Sequence, residues 1–270
     1  MAVILKTAAQ IDGIRKSCHL ARQTLKHIEP FIIEGVTTRF IDQKIVEYMK
    51  QNGAKAATLN YKGYPASSCI SVNDVVCHGI PNDTILKNGD IVNVDVTTIL
   101  DGYFGDTCMM YKVGEISTEA SQLVADTKKC LDIGIAQCYP GNYLGNIGYE
   151  IAKYAHRHGY SVVYEFCGHG VGVKFHEDPE VNHEADRNSG PKLKPGMTFT
   201  IEPMINRGKA RVKVDKKDKW TARTIDGKLS AQFEHTVLIT ETGVDVLTDI
   251  DGEYDSKGQL THSLVETIQN

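Results

Sequence analysis

The segment LKNGDIVNVD, residues 86–95, recurs later in the chain as LKPGMTFTIE, residues 193–202. In both copies a Leu-Lys pair and a glycine precede an apolar stretch, which ends in Asp95 in the first copy and in Glu202 in the second. The recurrence of the same residues at the same spacing is the sequence signature of an internal duplication. We therefore expect two related halves, each of which contributes one equivalent carboxylate.

The segments upstream of the two copies also match. EGVTTRFIDQKIVEYMKQNG, residues 34–53, parallels PGNYLGNIGYEIAKYAHRHG, residues 140–159, and each combines an early glycine, a helix-period apolar pattern and a terminal glycine. A capping box formed by Thr7 and Gln10 begins a further helix before the first half, and a comparable stretch runs over residues 119–137. Each half is thus predicted to consist of helices followed by antiparallel strands.

A repeated α+β unit related by a pseudo-twofold axis would set the strands of both halves side by side. We expect one catalytic domain over residues 1–250, built of halves at about 1–115 and 116–250, and a C-terminal tail at 251–270. The repeated carboxylates would then meet in a shared central cleft.

Acidic residues occupy several apolar strand contexts. Asp95 lies in IVNVDVT, Asp106 in YFGDTC, Glu202 in FTIEPM and Glu234 in AQFEHTV, while His169 lies in the glycine-rich CGHGVG. A buried carboxylate costs several kcal/mol unless it is paired or binds a metal, and no nearby Lys or Arg is available in the sequence. Two shared divalent ions would satisfy all five side chains, so the pattern predicts a dinuclear metal site.

A predicted hairpin brings two of these carboxylates together. Asp101-Gly102 is a strong two-residue turn signal, and pairing the strands around it sets Thr97 opposite Asp106. Because side chains alternate with period two, Asp95 shares a face with Thr97 and lies diagonal to Asp106. The alternative for Asp106 is a solvated position on an edge hairpin.

The composition is that of a globular protein, with 41% hydrophobic and 24% charged residues. The net charge of -4 gives no reason to expect nucleic-acid binding. Seven scattered cysteines without C-x-x-C spacing argue against disulfides and structural zinc, and favour a cytoplasmic location. The sequence shows no signal peptide, and no run approaches the roughly 18 apolar residues of a membrane helix.

Several motifs, in register, resemble those of the type I methionine aminopeptidases of peptidase family M24. They are YKGYPASSCISVNDVVCHGIP, NVDVT, GYFGDTC, FCGHGVGVKFHEDP, LKPGMTFTIEPM and AQFEHTV. The resemblance implies the duplicated "pita-bread" (creatinase/aminopeptidase) fold, an α+β architecture with a central antiparallel sheet and outer helices. It also implies a cytosolic enzyme that removes the initiator methionine from nascent proteins when the second residue is small.

The resemblance implies a role for each member of the acidic cluster. Asp106 and Glu234 bridge two ions, Asp95 completes one site, and His169 with Glu202 completes the other. Four oxygen donors and one imidazole suit Co, Mn, Fe or Zn, and the sequence leaves the choice among them open. Water activated by the two ions attacks the scissile carbonyl, with Glu202 as the candidate proton shuttle.

Two histidines that are not ligands also follow from the resemblance. His78 is placed at the scissile amide nitrogen, and His176 at the carbonyl oxygen as that atom gains charge. We expect His235 to face the opposite side of its strand from Glu234. Structural roles are expected for the remaining histidines, which are His19, His27, His156, His158, His183 and His262.

The methionine pocket implied by the resemblance is apolar and polarisable, which suits a thioether. Thr58 stands at a position where bacterial relatives usually carry cysteine, which changes the polarity of this pocket but not the chemistry. Without the resemblance, each aromatic residue of the pocket would be assigned to the core. The pocket residues are Tyr61, Tyr64, Cys69, Phe175 and Trp220.

The charged stretch RGKARVKVDKKDKWTARTIDGK, residues 207–228, admits two interpretations. One is a solvated hairpin, and the other is transient docking on ribosomal RNA near the nascent-chain exit. We expect a monomer without membrane contact that acts on the N-terminal methionine of nascent polypeptides.

Two other functions remain open at this point. An X-Pro aminopeptidase of the same fold is the nearest alternative, although such enzymes normally add a large amino-terminal domain. A binding protein of this fold that has lost its metals is the second alternative. The intact set of five acidic and histidine ligands argues against the second, because a binding protein has no need to keep them.

Overall fold

The helices lie where the sequence pattern predicted them. The computed structural model describes residues 3–261, so the end of the predicted tail, including His262, lies outside the described residues. The first helix begins with the predicted capping box, in which Thr7 Oγ1 accepts the N–H of Gln10 at 3.3 Å. Within residues 3–261 the α-helices are α1 (Ala8–Ile28), α2 (Thr38–Gln51), α3 (Thr118–Ile135) and α4 (Gly145–Arg157).

The strands pair in antiparallel fashion throughout the described residues. They form four sheets with the orders β1-β4-β2 (with β5 on β4), β13-β10-β6, β11-β12-β3 and β15-β14-β9-β7-β8. The strands are β1 (Lys55–Ala56), β2 (Cys69–Val72), β3 (Val75–Cys77), β4 (Ile91–Leu100), β5 (Tyr103–Lys112), β6 (Ser161–Val162), β7 (Gly168–Gly170), β8 (Glu177–Val181), β9 (Thr198–Ile201), β10 (Met204–Asn206), β11 (Val212–Val214), β12 (Ala222–Thr224), β13 (Ser230–Gln232), β14 (His235–Ile239) and β15 (Val244–Val246).

The two halves repeat the same local contacts. Gly35 before α2 and Gly141 before α4 both have a φ of 87°, a left-handed conformation that favours glycine. The N–H of Gly35 donates to the carbonyl of Leu86, and that of Gly141 to the carbonyl of Leu193, each at 2.9 Å. Equivalent positions of the two sequence copies are thus held by equivalent hydrogen bonds, as a duplicated fold requires.

Each half has its own hydrophobic core between helices and strands. In the first half α1 and α2 cover β2, β4 and β5, and in the second α3 and α4 cover β9, β10, β13 and β14. The helices therefore lie outside the sheets, and the predicted α+β pita-bread architecture is confirmed. Fully buried members include Leu25, Ile41 and Val94 in the first core, and Leu131, Ile147 and Phe199 in the second.

The inner strands of the two halves meet at the acidic residues. In the β4–β5 hairpin Thr97 pairs with Asp106, as the turn signal predicted, and Asp95 pairs with Cys108. An antiparallel bridge between Cys108 and Glu234 then joins β5 to the connection between β13 and β14. Within residues 3–261 no helix combines the length and apolar character needed to cross a membrane.

Candidate metal centre

One cavity of about 760 Å³ brings the predicted site residues together. Thr58 lines the same cavity, as do several residues that the sequence analysis did not single out, among them Ile4, Phe166 and Gln232. The twelve predicted residues that line it are Asp95, Asp106, His169, Glu202, Glu234, His78, His176, Tyr61, Tyr64, Cys69, Phe175 and Trp220.

Three carboxylates form the floor of the cavity. Asp95, Asp106 and Glu234 each offer an oxygen atom, and these atoms all lie within 4.8 Å of one another. Asp106 is only 3% exposed and its Oδ1 accepts a hydrogen bond of 2.7 Å from Thr97 Oγ1, so a solvated edge position is wrong for this residue. The Oδ1 atom of Asp95 is buried and has no hydrogen-bond partner, which leaves a lone pair free for a cation.

His169 reaches the same cluster from β7, in a tightly packed backbone. Its neighbours must be glycines, because a Cβ atom on Gly168 would lie 2.5 Å from the carbonyl oxygen of Thr200. A Cβ atom on Gly170 would lie 2.3 Å from the carbonyl oxygen of Asp178. The glycine-rich motif around His169 is therefore a packing requirement of the strands on either side.

The tautomer of His169 is set by its own backbone. Its Nδ1 lies 3.0 Å from the carbonyl oxygen of Gly170, so Nδ1 carries the proton and Nε2 keeps its lone pair. The Nε2 atom lies 3.6 Å from Asp106 Oδ2 and 3.8 Å from Glu202 Oε1. These separations are too long for hydrogen bonds and suit ligands that converge on one ion, with the Nδ1 contact fixing the ring.

Glu202 follows β9 and is held at three points. Its Oε1 accepts a hydrogen bond of 2.7 Å from Thr200 Oγ1, and its Oε2 accepts one of 3.1 Å from Gln232 Nε2. Its backbone N–H donates to Nε2 of His183 at 3.0 Å. Burial lowers the pKa of His183 to about 3, so this ring is neutral and its Nε2 can accept. Thr200 and Gln232 therefore orient the Glu202 carboxylate toward the cluster, and His183 holds its backbone.

The carboxyl groups of the cluster are costly to ionise without a cation. Burial raises the pKa of Asp106 to about 7, and those of Asp95, Glu202 and Glu234 well above their usual range. Repulsion from neighbouring carboxylates adds to the shift at Asp95, Glu202 and Glu234, and no Lys or Arg is among the main influences on the pKa of any of the four. Divalent cations would stabilise the ionised forms, so this donor set fits a metal centre.

Two further histidines face the cavity. His78 adopts a left-handed φ of 56°, and its ring packs edge-on against Phe166 and Trp220 at centroid distances of 5.1 and 6.0 Å. His176 stacks on His169 at 4.0 Å. Desolvation, with a further contribution from His169, lowers the pKa of His78 to about 4 and that of His176 to about 3. Both rings are neutral and can donate one N–H.

The aromatic pocket beside the cluster is built from three parts of the chain. Tyr64 packs edge-on against Trp220 at 5.2 Å, and Tyr61 packs against Phe175 at 4.6 Å. The phenol oxygen of Tyr64 lies 3.0 Å from two backbone carbonyls, so its polar end is satisfied and its ring is free to form an apolar wall. The Thr58 hydroxyl is buried in this cavity without a hydrogen-bond partner.

The charged stretch 207–228 contains an antiparallel hairpin of β11 and β12. Its tip carries the exposed residues Lys216, Lys217 and Lys219, and this exposure is compatible with both interpretations of the stretch. Trp220, at the end of this tip, nevertheless lines the cavity. The hairpin therefore connects the solvent-exposed surface to the aromatic pocket.

Within residues 3–261, the remaining histidines interact with groups outside the acidic cluster, with one exception. His235 is buried, its Nδ1 lies 2.7 Å from Thr248 Oγ1, and its ring packs edge-on against Tyr254, as expected for a packing residue. His183 is the exception, because it contacts the backbone of Glu202. No signal in the sequence distinguishes it. The sequence could have suggested Gln232, because it precedes Glu234 by only two positions.

The chain is similar to well-characterised metallopeptidases over nearly its whole length. The model of Metallopeptidase family M24 matches residues 12–241. The methionine aminopeptidase of Haemophilus influenzae is 47% identical over 268 residues, which cover 98% of this chain and 99% of the relative. The crystal structure of methionine aminopeptidase from Rickettsia prowazekii superposes with a TM-score of 0.90 at 44% identity, covering 92% of this chain and 100% of that one.

A prolidase from Pyrococcus furiosus superposes with a TM-score of 0.75 at 24% identity, over 92% of this chain and 66% of that chain. At this level of identity the prolidase shows the fold alone. The family match and the high identity to methionine aminopeptidases are specific, and they agree with a cavity that holds a cluster of carboxylates and a histidine with a free Nε2. The chain therefore belongs to metallopeptidase family M24 and, within it, groups with the methionine aminopeptidases.

Proposed function

We propose that this chain is a dinuclear metalloexopeptidase that removes the N-terminal methionine from nascent polypeptides when the second residue is small. One observation carries the proposal. Four carboxylates, two of them buried and two partly buried, and the free Nε2 of His169 line one cavity together with a set of aromatic side chains. The carboxylates and the imidazole suit hydrolysis by metal ions, and the aromatic rings suit a thioether side chain.

Asp106 is the natural shared ligand of two ions. It lies in the group formed with Asp95 and Glu234, and its Oδ2 also faces His169. Asp95 would complete one ion site, His169 with Glu202 the other, and Glu234 would join Asp106 in holding both. When bound, two divalent ions, Co, Mn, Fe or Zn, supply Lewis-acid activation of water and of the scissile carbonyl.

The side chains around the ions divide the remaining work. Glu202, held by Thr200 and Gln232, accepts a proton from the attacking water and returns it to the departing amine. His176 donates its N–H to the carbonyl oxygen as that atom gains charge, and His78 contacts the scissile amide nitrogen. The lowered pKa of both rings supports these roles, because a neutral imidazole has one N–H to donate.

The methionine side chain would lie in the aromatic pocket. Sulfur-aromatic contacts there contribute about 0.3 to 1.5 kcal/mol each. Phe175 packs edge-on against His169 at 6.2 Å and lies 4.3 Å from His176, so aromatic rings crowd the space beside the acidic cluster. A small second residue would fit there without displacing the carbonyl. The pocket residues are Tyr61, Tyr64, Cys69, Phe175 and Trp220.

We also propose that the protein acts as a cytoplasmic monomer and contacts the ribosome through the hairpin of residues 207–228. Support comes from the exposed lysines at the hairpin tip, which would attract phosphate groups. Sedimentation with ribosomes at low and high salt tests the contact. Replacing Lys216, Lys217 and Lys219 with alanine should abolish co-sedimentation at low salt, and unchanged co-sedimentation would exclude this surface.

Two assays test the proposed function. Metal analysis of purified protein is expected to find two ions per chain, whereas a binding protein would hold none. Hydrolysis of Met-Ala-Ser should be efficient in the presence of divalent metal, and peptides that begin Xaa-Pro should be poor substrates. Preferential hydrolysis of Xaa-Pro peptides would instead assign the chain to the proline-directed peptidases of the same fold.

A further inference from the structure

The segment before α1 forms part of the wall of the active site. Ile4 lines the cavity, and the backbone N–H of Lys6 donates to the carbonyl of Gly196 at 2.8 Å. The Lys6 side chain turns inward and its Nζ lies 2.5 Å from Oε2 of Glu177. Both side chains are only 1% exposed, so this is a fully buried ion pair between residues 171 positions apart.

Glu177 organises the loop that carries two residues of the site. Its Oε1 accepts the backbone N–H of Val173 at 2.8 Å and that of Lys174 at 2.7 Å. The same carboxylate thus ties the start of the loop to its end. Phe175 and His176 lie between these points, so their backbone position depends on where the Glu177 carboxylate is held.

Lys6 is what holds that carboxylate. A buried carboxylate without a counter-ion is strongly unfavourable, even when backbone N–H groups donate to it. The Nζ of Lys6 supplies the charge, and it is itself fixed by a hydrogen bond of 3.1 Å to the carbonyl of Ile4. The ion pair therefore links the N-terminal segment, through Glu177, to the loop of His176.

We propose that Lys6 is a positioning residue for peptide hydrolysis, which acts through Glu177 to place His176 against the developing oxyanion. The inference rests on the proposed role of His176. It makes the segment of residues 4–6 a working part of the active site, although this segment holds no metal ligand and precedes the first helix. Displacing a catalytic group by about 1 Å is enough to lower a rate on the order of 100-fold.

The test compares Lys6→Met with Arg22→Met. Arg22 also pairs a largely buried cation with a distant glutamate, Glu253, at 3.4 Å, but it does not line the cavity. For Lys6→Met we expect kcat on Met-Ala-Ser to fall about 10- to 100-fold, with KM changed less than about twofold and metal content unchanged. Arg22→Met should lower thermal stability and leave kcat unchanged.

Hydrogen exchange gives a measurement that does not depend on activity. In metal-free protein, the amides of Val173 and Lys174 should exchange at least about tenfold faster in Lys6→Met than in the unmodified chain or in Arg22→Met. This measurement still tests the positioning role if the chain proves to have a different activity. Slow exchange of both amides together with unchanged kcat would overturn the proposal.

A double variant separates positioning from simple loss of stability. Lys6→Met combined with Glu177→Gln leaves no buried unpaired charge, so this protein should fold even if the single variant does not. We expect it to keep both metals and to retain the lowered kcat. On a His176→Ala background, Lys6→Met should lower kcat no further. A full additional decrease there would show that Lys6 does not act through His176.

Discussion

The imidazole of His176 stacks on the phenol ring of Tyr61, with ring centroids 5.0 Å apart and an interplanar angle of 8°. The imidazole of His169 also stacks on the imidazole of His176, with ring centroids 4.0 Å apart. Both neighbours restrict the ring plane of His176, so its nitrogen atoms, which lie on the ring edge, are the groups left to contact substrate. Tyr61, which lines the pocket, and His169, a proposed metal ligand, therefore both position the N–H donor of His176.

Replacing His176 with alanine should separate catalysis from metal binding. We expect kcat to fall about 100- to 1000-fold, since one donor to the oxyanion is lost. Elemental analysis should find the metal content unchanged, because we propose that His176 is not a ligand. Tyr61→Phe, which keeps the stacked ring, should stay near full activity, whereas Tyr61→Ala should lose part of it. Loss of the metals from His176→Ala would show that its assignment as a non-ligand is wrong.

Chelation of the metal should abolish peptidase activity, and Mn(II), Fe(II) or Co(II) should restore it. Asp106→Asn should bind neither ion well, because both ions depend on this carboxylate. Asp42→Asn is a matched control. Asp42 is a partly buried carboxylate that accepts hydrogen bonds from Ser67 and Ser68 and lies outside the cluster. Full activity in a sample shown to be metal-free would refute the dinuclear mechanism.

The stability of the metal-free protein should fall as the pH rises from about 6.5 to about 8. Burial raises the pKa of Asp106 to about 7, and those of the other three carboxyl groups well above their usual range, so the folded state keeps protons that the unfolded chain has lost. This stabilisation is present at low pH and disappears as the pH passes the folded-state pKa. Each retained proton lowers the free energy of unfolding by about 1.4 kcal/mol per pH unit.

The pH window is chosen to isolate the carboxyl groups. Histidines with a lowered pKa, such as His183, affect stability only below about pH 6.5, and buried cysteines with a raised pKa only near pH 9. Denaturant unfolding at several pH values measures the slope. In Asp95→Asn the free energy of unfolding should depend less steeply on pH. In metal-loaded protein it should be almost independent of pH in this window. An equal slope with and without metal would contradict the prediction.

Glu202→Gln should reduce kcat strongly. The amide remains able to hydrogen-bond Thr200, but it is a poorer ligand and cannot accept a proton from water. We expect a loss of about 100-fold or more, together with weaker binding of the ion that His169 also faces. Gln232→Leu, which removes only the hydrogen bond to Glu202, should cause a smaller loss. A variant Glu202→Gln with normal kcat would remove the residue from the mechanism.

Substrate size should be selected at the second residue. In a series Met-Xaa-Ser with Xaa from Gly to Leu, kcat/KM should fall steeply beyond small side chains, because a bulky one displaces the carbonyl from the cluster. Trp220→Ala should widen the pocket and weaken both methionine affinity and this exclusion. Leu-Ala-Ser serves as the comparison. Its cleavage by the unmodified enzyme at the rate of Met-Ala-Ser would indicate a general aminopeptidase.

Turn, capping and glycine signals in the sequence predicted those parts of the fold that depend on residues close together in the chain. The Asp101-Gly102 turn and the period of two were sufficient to place Thr97 opposite Asp106, which the β4–β5 register confirms. The capping box at Thr7 likewise fixed the start of α1. The repeated glycines indicated the duplication, because each adopts a backbone conformation that side chains disfavour.

Contacts between distant segments could not be predicted in this way. The hydrogen bond from Glu202 to His183 and the ion pair of Lys6 with Glu177 depend on how strands from separate parts of the chain pack. Neither pair has a characteristic spacing or motif. The grouping of His169 with Asp106 was predicted from their shared suitability as metal ligands and from resemblance to a family, since no spacing rule joins a residue of β7 to one of β5.

The bridge between Cys108 and Glu234 means that the proposed metal site can form only after Glu234 has been synthesised. Glu234 is the last of the five proposed ligands to leave the ribosome, and the connection between β13 and β14 must dock on β5 before it reaches the others. Until then a growing copy of this protein carries its other carboxylates without their final partner. Uptake of both ions by the proposed site therefore requires synthesis beyond Glu234, and a fragment that ends before this residue should lack peptidase activity.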